Sequence, residues 1–184
     1  MRIIAGTYRS RLIKAVEGSS TRPTLDKVKE ALFSTLGPNI SGKSALDLFA
    51  GSGNIGLEAI SRGMQPVVFV DGSQDAIHVI HANIKALGCE KQAQVYRMDA
   101  FQALRYLSKK ELKFHFVYLD PPYLKVDLVG ILEALKHYDL ILEDSIMVIE
   151  QPKDASLIEH PAYTLEKTAV YGTVALHYYR RKHD

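Results

Sequence analysis

The chain has 184 residues, of which 47% are apolar and 24% are charged, and its formal net charge is +2. This length favours one domain with a substantial core. No apolar run approaches the roughly 20 residues of a membrane helix, and the first residues lack the apolar stretch of a signal peptide. The single Cys89 excludes an internal disulfide and a cysteine-based metal cluster. We therefore expect a cytoplasmic protein with no metal and no membrane partner.

Basic residues are concentrated near the two ends of the sequence. The first 29 residues contain only two acidic residues, Glu17 and Asp26, and the sequence Arg180-Arg181-Lys182 lies near the other end. The basic residues of the first segment are Arg2, Arg9, Arg11, Lys14, Arg22, Lys27 and Lys29. This distribution is typical of a polyanion-binding edge, although ordinary solvated strand ends would also produce it.

The first elements predicted from the sequence are a β-hairpin and a helix. Residues 2–5 and 11–15 are short β-prone runs and predict the hairpin. Thr24 is expected to cap a helix that buries Leu25, Val28 and Leu32 on one face. Gly37-Pro38 is expected to end that helix.

Strands and helices then alternate along the chain. The predicted strands cover residues 45–49, 67–70, 94–97, 114–119 and 145–150, and the predicted helices cover 54–62, 73–87, 100–107 and 127–138. This alternation predicts right-handed crossovers and a parallel, doubly wound sheet. Residues 165–171 and 173–180 are β-rich with only Gly172 between them, and they predict a terminal antiparallel hairpin. The expected fold is α/β, with a seven-stranded, mostly parallel sheet.

A glycine-rich loop follows the first strand of the predicted sheet. Gly51, Gly53 and Gly56 match the G-x-G-x-x-G pattern, and Asp71 follows about twenty residues later. Glycine allows a close approach of the backbone to a ligand, and the loop lies at the carboxyl end of a strand, where open α/β sheets bind ligands. The pattern indicates a cofactor site. By itself it is compatible with NAD as well as with S-adenosylmethionine.

Three features favour S-adenosylmethionine. Asp47, four residues before Gly51, would repel a pyrophosphate and attract the ammonium group of a methionine moiety. Asp99, at the end of the third strand, can accept from the exocyclic amine of adenine, with the next backbone N–H on a ring nitrogen. The sequence 120–123 that follows the fourth strand has no role in hydride transfer. The predicted cofactor-binding residues in and near these strand ends are Asp47, Phe49, Ala50, Gly51, Ser52, Gly53, Asp71, Gly72, Asp99 and Ala100.

The sequence Asp120-Pro121-Pro122-Tyr123, here called the proline corner, carries the predicted catalytic residues. An exocyclic amine of a base is a poor nucleophile because its lone pair is delocalised into the ring. The Asp120 carboxylate and the Pro121 carbonyl are expected to accept its two hydrogens and so to aim the lone pair at a methyl group. The prolines stiffen the corner, and Tyr123 offers a face for base stacking, worth roughly 1–3 kcal/mol. A paired base must be flipped out to reach this corner.

The sequence resembles the bacterial 16S ribosomal RNA guanine-N2 methyltransferases (RsmD-like) over its whole length. Residues 2–11 (RIIAGTYRSR), 21–24 (TRPT) and 27–33 (KVKEALF) carry the resemblance, together with the glycine loop, the proline corner and the turn at Gly172. It implies a Rossmann-like class I S-adenosylmethionine-dependent fold. It also implies transfer of a methyl group to a guanine N2 amine of 16S rRNA in the small ribosomal subunit.

The resemblance further assigns roles to the N-terminal segment. It implies that residues 1–37 form an RNA-contacting extension and residues 38–184 the catalytic domain of a single compact monomer. The candidate RNA-binding residues are Arg2, Arg9, Arg11 and Lys14. The segment 22–24 is implied to pack over the methionine end of the donor, so that Arg22 and Thr24 contact it. Such enzymes commonly carry Glu at the position of Asp71, a departure in this chain.

Four other functions stay open at this stage. An adenine-N6 methyltransferase of DNA or RNA can use the same corner, although the chain has no separate target-recognition domain. A protein-glutamine methyltransferase usually carries Asn at the position of Asp120. A non-catalytic ribosome-assembly binder is disfavoured by the intact corner, and an NAD-dependent oxidoreductase is supported by the glycine spacing only.

Overall fold

The computed structural model describes residues 1–18 and 23–183, with backbone only for residues 23 and 24. The helices in this part of the chain are α1 (Pro23–Leu36), α2 (Asn54–Ser61), α3 (Gln74–Leu87), α4 (Ala100–Lys109) and α5 (Leu128–His137). The strands are β1 (Ala45–Asp47), β2 (Val67–Asp71), β3 (Ala93–Arg97), β4 (Phe114–Leu119), β5 (Ile141–Pro152), β6 (Tyr163–Tyr171) and β7 (Val174–Arg181). Within these ranges, none of the helices has the length and apolar character needed to span a membrane.

The strands form one seven-stranded sheet in the order β3-β2-β1-β4-β5-β7-β6. The first five strands are parallel, and β7 pairs antiparallel with both β5 and β6. The predicted parallel sheet with a closing hairpin is therefore confirmed. Because the parallel strands share a direction, their carboxyl ends meet at one edge of the sheet, where a ligand site is expected.

Apolar side chains cover both faces of the sheet. One cluster packs α1, α2 and α3 against the face that carries Phe69, Phe116 and Tyr118. A second cluster packs α4 and α5 against the opposite face, which carries Val117, as the alternation of side chains along a strand requires. Ile3 and other residues that precede α1 belong to the first cluster. The N-terminal segment therefore shares the core of the sheet. The predicted division of the chain into an extension (residues 1–37) and a catalytic domain (residues 38–184) stays a prediction.

The N-terminal hairpin predicted for residues 2–5 and 11–15 is reduced to a single bridge between Arg2 and Leu12. The reason is that neighbouring backbone donors bond to α2 instead of to a partner strand. The N–H groups of Ile4 and Ala5 donate to the Glu58 carboxylate, and that of Tyr8 donates to Ser61 Oγ. The segment thus follows α2 rather than forming a free ribbon.

Two other boundaries differ from prediction. Helix α1 begins at Pro23, so Thr24 lies in its first turn and does not cap it; proline suits the first helical position because the N–H that it lacks would have no partner there. Strand β5 begins at Ile141 instead of at residue 145. It pairs Ile141 with Phe114 and Ile146 with Phe116, and the irregular register between these pairs accommodates the extra residues.

Glu58 of α2 is a fully buried anion surrounded by donors. It accepts from the Ile4 and Ala5 N–H groups at 2.8 and 3.1 Å. It also pairs with Lys29 Nζ at 3.2 Å and with Arg62 Nε at 2.9 Å. A buried charge is tolerated only when it is paired and hydrogen-bonded in this way. Glu58 therefore joins the N-terminal segment, α1 and α2.

Lys29 extends this connection to the glycine loop. Its side chain is fully buried, and Nζ donates to the Arg2 carbonyl at 2.6 Å and to Asn54 Oδ1 at 2.9 Å. Burial lowers the pKa of Lys29, while the adjacent Glu58 opposes that shift. Because Asn54 is the first residue of α2 after the loop, the ion pair fixes where the loop ends.

Replacement of Glu58 by glutamine is expected to destabilise the protein. Glu58→Gln leaves the buried Lys29 ammonium without its counter-charge, and breaking such a pair costs about 3–5 kcal/mol. Urea unfolding measures the loss. Glu143→Gln, an exposed change on β5, is the control and is expected to stay within about 0.5 kcal/mol of wild type. The double change Glu58→Gln with Lys29→Met should recover part of the loss, and a loss below about 1 kcal/mol in the single variant would contradict this role for Glu58.

Candidate active site

The glycine loop turns the chain sharply from β1 into α2. Gly53 precedes the helix with φ +84°, a left-handed conformation that glycine adopts without strain. Gly56, in the first turn of α2, lies directly on the ring of Phe69, where a Cβ atom would come within 2.2 Å of Cε1. The left-handed conformation of Gly53 allows the sharp turn of the loop. The absence of a side chain at Gly56 allows α2 to pack closely on the sheet.

The three carboxylates predicted to bind the cofactor, Asp47, Asp71 and Asp99, each accept a hydrogen bond from a backbone N–H close to the site. Asp47 accepts from Gly56 at 3.1 Å and is buried. Asp71 accepts from Gly51 and from Ser73, both at 2.9 Å. Asp99 caps α4 by accepting from Gln102 at 3.1 Å. These residues therefore shape the loops. Because a carboxylate oxygen can accept more than one hydrogen bond, they can also accept hydrogen bonds from a ligand.

Two cavities of about 410 and 710 Å³ adjoin along this edge of the sheet. Both are lined by Phe49, Gly51, Asp71, Ser73 and Asp120, so together they form one cleft. The 410 Å³ part, called the inner cavity, is also lined by Asp47, Ala50, Ser52 and Lys29. The 710 Å³ part, called the outer cavity, is also lined by Gly72, Asp99, Ala100, Pro121 and Pro122.

The proline corner places Asp120 beside a carboxylate that the sequence analysis missed. Leu119 of β4 pairs in parallel with Ile149 of β5, so the next residues on the two strands, Asp120 and Glu150, lie side by side. Both line the inner cavity, together with Tyr118. Glu150 is the last residue of the predicted fifth strand. Asp47 and Asp99 were selected because they lie at or near the ends of other predicted strands, so the same criterion could have identified Glu150.

The surroundings of Asp120 raise the pKa of its carboxyl group. Asp120 is accessible from the cleft, although protein atoms surround its carboxyl group on most sides. Burial, the hydrogen bond with Glu150 and the charges of Glu150 and Asp47 raise the pKa of Asp120 well above its usual range. Burial and the same anions also raise the pKa of Tyr118.

The predicted cofactor residues largely come together. Asp47, Phe49, Ala50, Gly51, Ser52, Asp71, Gly72, Asp99 and Ala100 all line the cleft. Gly53 is buried beneath it and serves the turn. Arg22 lies outside the described residues, as does the side chain of Thr24, so their predicted contacts with the donor stay predictions. Lys29, Asn54 and Ile55 also line the inner cavity and were not anticipated.

The candidate RNA-binding residues Arg2, Arg9, Arg11 and Lys14 are all exposed. Their backbone is held in place, since Lys14 N donates to Asn83 Oδ1 at 2.7 Å and the Arg2 carbonyl accepts from Lys29. The guanidinium of Arg11 donates to the Ala86 carbonyl at 2.7 Å, which orients it at the end of α3. The side chains thus project from a fixed segment.

Comparison with known proteins identifies the family. The family model described as conserved hypothetical protein 95 matches residues 1–180. YlbH of Bacillus subtilis, named as a candidate rRNA methyltransferase, is 41% identical over 99% of this chain and 100% of its own length. Ribosomal RNA small subunit methyltransferase D of Haemophilus influenzae is 32% identical over 98% of this chain and 93% of its own length. The chain belongs to the small subunit methyltransferase D family.

Solved structures agree with the fold. The candidate methyltransferase yhhF of Escherichia coli superposes with a TM-score of 0.86 at 25% identity and covers 100% of this chain and 99% of that one. The Thermus thermophilus 16S rRNA guanine-N2 methyltransferase RsmC, solved with AdoMet and guanosine, shares the fold at 19% identity with a TM-score of 0.70. It covers 90% of this chain and 45% of that one. The fold is the Rossmann-like class I methyltransferase fold, as the sequence predicted.

Removal of the Asp47 charge is expected to change how stability depends on pH. Burial, opposed by the Gly56 hydrogen bond, raises the pKa of Asp47 to about 7, whereas an unfolded aspartate titrates near pH 4. Between these values the native state binds a proton that the unfolded state has lost. The free energy of unfolding therefore falls as pH rises across this window.

Asp47→Asn removes the contribution of this carboxyl group to the pH dependence of stability and keeps an acceptor for the Gly56 N–H. Relative to wild type, its free energy of unfolding should increase by on the order of 2–4 kcal/mol between pH 5 and pH 8. Urea unfolding of the ligand-free proteins at the two pH values measures the difference. Asp75→Asn, an exposed change on α3, is the control. A variant whose stability relative to wild type did not change with pH would show that Asp47 titrates normally.

Proposed function

We propose that this protein transfers a methyl group from S-adenosylmethionine to the N2 amine of a guanine in 16S ribosomal RNA. The observation that carries the proposal is the position of Asp120: it belongs to the proline corner and also lines both parts of the carboxylate-rimmed cleft. An amine acceptor therefore adjoins a site suited to the methyl donor. Membership of the small subunit methyltransferase D family supports the rRNA substrate.

The methyl donor is S-adenosylmethionine, and the cleft suits each part of it. Asp47 supplies negative charge in the inner cavity for the ammonium of the methionine end. Asp71 lies where the two parts of the cleft meet and can accept from the ribose hydroxyls. Asp99 and the Ala100 N–H lie in the outer cavity and suit the adenine edge. The donor supplies a sulfonium that is reactive without help, so the protein contributes orientation and electrostatics.

The chemical step needs an aligned amine and a proton acceptor. The guanine N2 lone pair forms a bond to the methyl carbon as the carbon–sulfur bond breaks, and that electron pair stays on sulfur. The product amine then loses one proton. Asp120 accepts from the amine before transfer and, because burial and the neighbouring anions raise its pKa, takes the released proton.

The RNA is expected to lie across the N-terminal segment. Arg2, Arg9, Arg11 and Lys14 project from residues 1–14, and phosphate contacts from such residues position a nucleic acid without reading its sequence. This segment and α1 contribute Met1, Val28 and Lys29 to the wall of the inner cavity, so RNA held there would be next to the cleft. We propose that residues 1–37 act as the RNA-contacting extension of a monomeric enzyme that works on the small ribosomal subunit in the cytoplasm.

An adenine-N6 methyltransferase is the second candidate, because the same corner can hold the N6 amine. The identity of the methylated nucleoside decides between the two. Small ribosomal subunits that lack the modification, naked 16S rRNA and DNA are incubated with labelled S-adenosylmethionine, and the nucleosides are then separated. We expect label in N2-methylguanosine from small subunits. N6-methyladenosine would establish the second candidate, and no label in any nucleic acid would refute both.

Loss of the corner carboxylate should separate methyl transfer from donor binding. Asp120→Asn removes a charged acceptor of the amine hydrogens, and its single-turnover rate should fall by about 100-fold or more. Its affinity for S-adenosylmethionine, measured by calorimetry, should stay within about threefold of wild type. Asp144→Asn, an exposed change on β5, should leave both quantities unchanged. A collapse of donor affinity in Asp120→Asn would instead make Asp120 part of the donor site.

A further inference from the structure

A third cavity, of about 360 Å³, lies against the proline corner and is called the corner cavity. It is lined by Pro121, Pro122 and Tyr123, by the first residues of α5, and by residues 150–152 and 155–159. Its volume is within the range of small-molecule sites. Tyr123 and Leu157, each 52% exposed, give it aromatic and apolar walls. The corner cavity therefore suits a flat, largely apolar group such as a base.

Glu150 connects the corner cavity to the inner cavity. It is among the residues that line both, and the pairing of β4 with β5 places it beside Asp120. Strand β7 pairs with the other side of β5, where Leu176 is the partner of Glu150. Side chains alternate between the two faces along β5, so the Glu150 carboxylate lies on the face that carries Tyr118 and Val148, beside Asp120 and towards the inner cavity.

The two purines differ in what they present beside the reactive amine. Guanine presents an N1–H donor next to its N2 amine, whereas adenine presents an unprotonated N1 acceptor next to its N6 amine. A carboxylate has only acceptors. Two adjacent carboxylates thus match the two adjacent donors of guanine and oppose the lone pair of adenine N1.

We propose that Glu150 determines the specificity for guanine by accepting a hydrogen bond from N1–H of the target base at the proline corner, while Asp120 accepts from the N2 amine. This inference rests on the proposed function and deepens it. Tyr123 provides the stacking face. Glu150 therefore contacts substrate as well as supporting Asp120.

Substitution of the target base by 2-aminopurine tests the assignment, because this base keeps the amine and replaces N1–H by an acceptor. Small subunits are reconstituted with 16S rRNA carrying either guanine or 2-aminopurine at the methylated position. Single-turnover rates are compared for wild type, Glu150→Gln and Glu150→Asp. Glu143→Gln on the same strand is the matched control, and thermal midpoints verify that each variant is folded.

Wild type should prefer guanine by about 10- to 150-fold, the range expected of one hydrogen bond to a charged group. Glu150→Gln should methylate guanine more slowly and reduce the preference to less than about threefold, because its amide can donate to N1 of 2-aminopurine. Glu150→Asp keeps an acceptor and should retain a preference above fivefold at a lower rate. Glu143→Gln should behave as wild type.

The outcomes separate this inference from the proposed function. If wild type methylates guanine N2 and Glu150→Gln keeps the full preference while both rates fall, Glu150 only supports Asp120, and the inference alone is wrong. The same conclusion follows if Glu150→Asp loses the preference. If wild type methylates adenine or no base at all, the proposed function fails, and the inference fails with it.

Discussion

The buried carboxylate of Glu58 holds together the parts from which the site is built. It bonds to the N-terminal backbone at Ile4 and Ala5 and to the side chains of Lys29 and Arg62. Through Lys29 it also reaches Asn54, where the glycine loop becomes α2. A surface ion pair contributes little to stability, but here the charges are excluded from water, and each depends on the others. The position of the N-terminal segment and that of the loop are therefore set by one set of contacts.

Asn83 of α3 adds a second tie between the same parts. Its amide donates to the Lys14 carbonyl at 2.9 Å and to the Ser52 carbonyl at 3.1 Å, and its oxygen accepts from Lys14 N. Ser52 belongs to the loop that lines the inner cavity. The backbone of the basic segment and the wall of the donor site thus meet at one buried side chain. The basic segment and the wall of the inner cavity are therefore held in place by the same side chain.

The architecture was predictable from the sequence because its signals are local and repeated. Alternating apolar runs predicted the strands within a few residues, and the glycine loop and proline corner predicted the edge of the sheet at which the cleft lies. Among the boundaries that were wrong, that of the N-terminal hairpin depends on contacts distant in sequence: its pairing is short because Glu58 and Ser61 of α2 take its donors. Glu150 was missed although it ends a predicted strand, because its pairing with Asp120 depends on β5 lying beside β4. Lys29 was read as part of a basic surface, and only the tertiary structure shows that it is buried.

The antiparallel hairpin at the end of the chain has a chemical consequence for the site. Because β7 covers the edge of β5, Glu150 is flanked by a strand on each side and cannot move away from Asp120 by a shift of the backbone. In a yielding loop, two such carboxylates would relieve their repulsion by separating. On an interior strand the repulsion persists and contributes to the raised pKa of Asp120. By fixing Glu150 beside Asp120, the terminal hairpin makes the carboxyl group at the proline corner more basic.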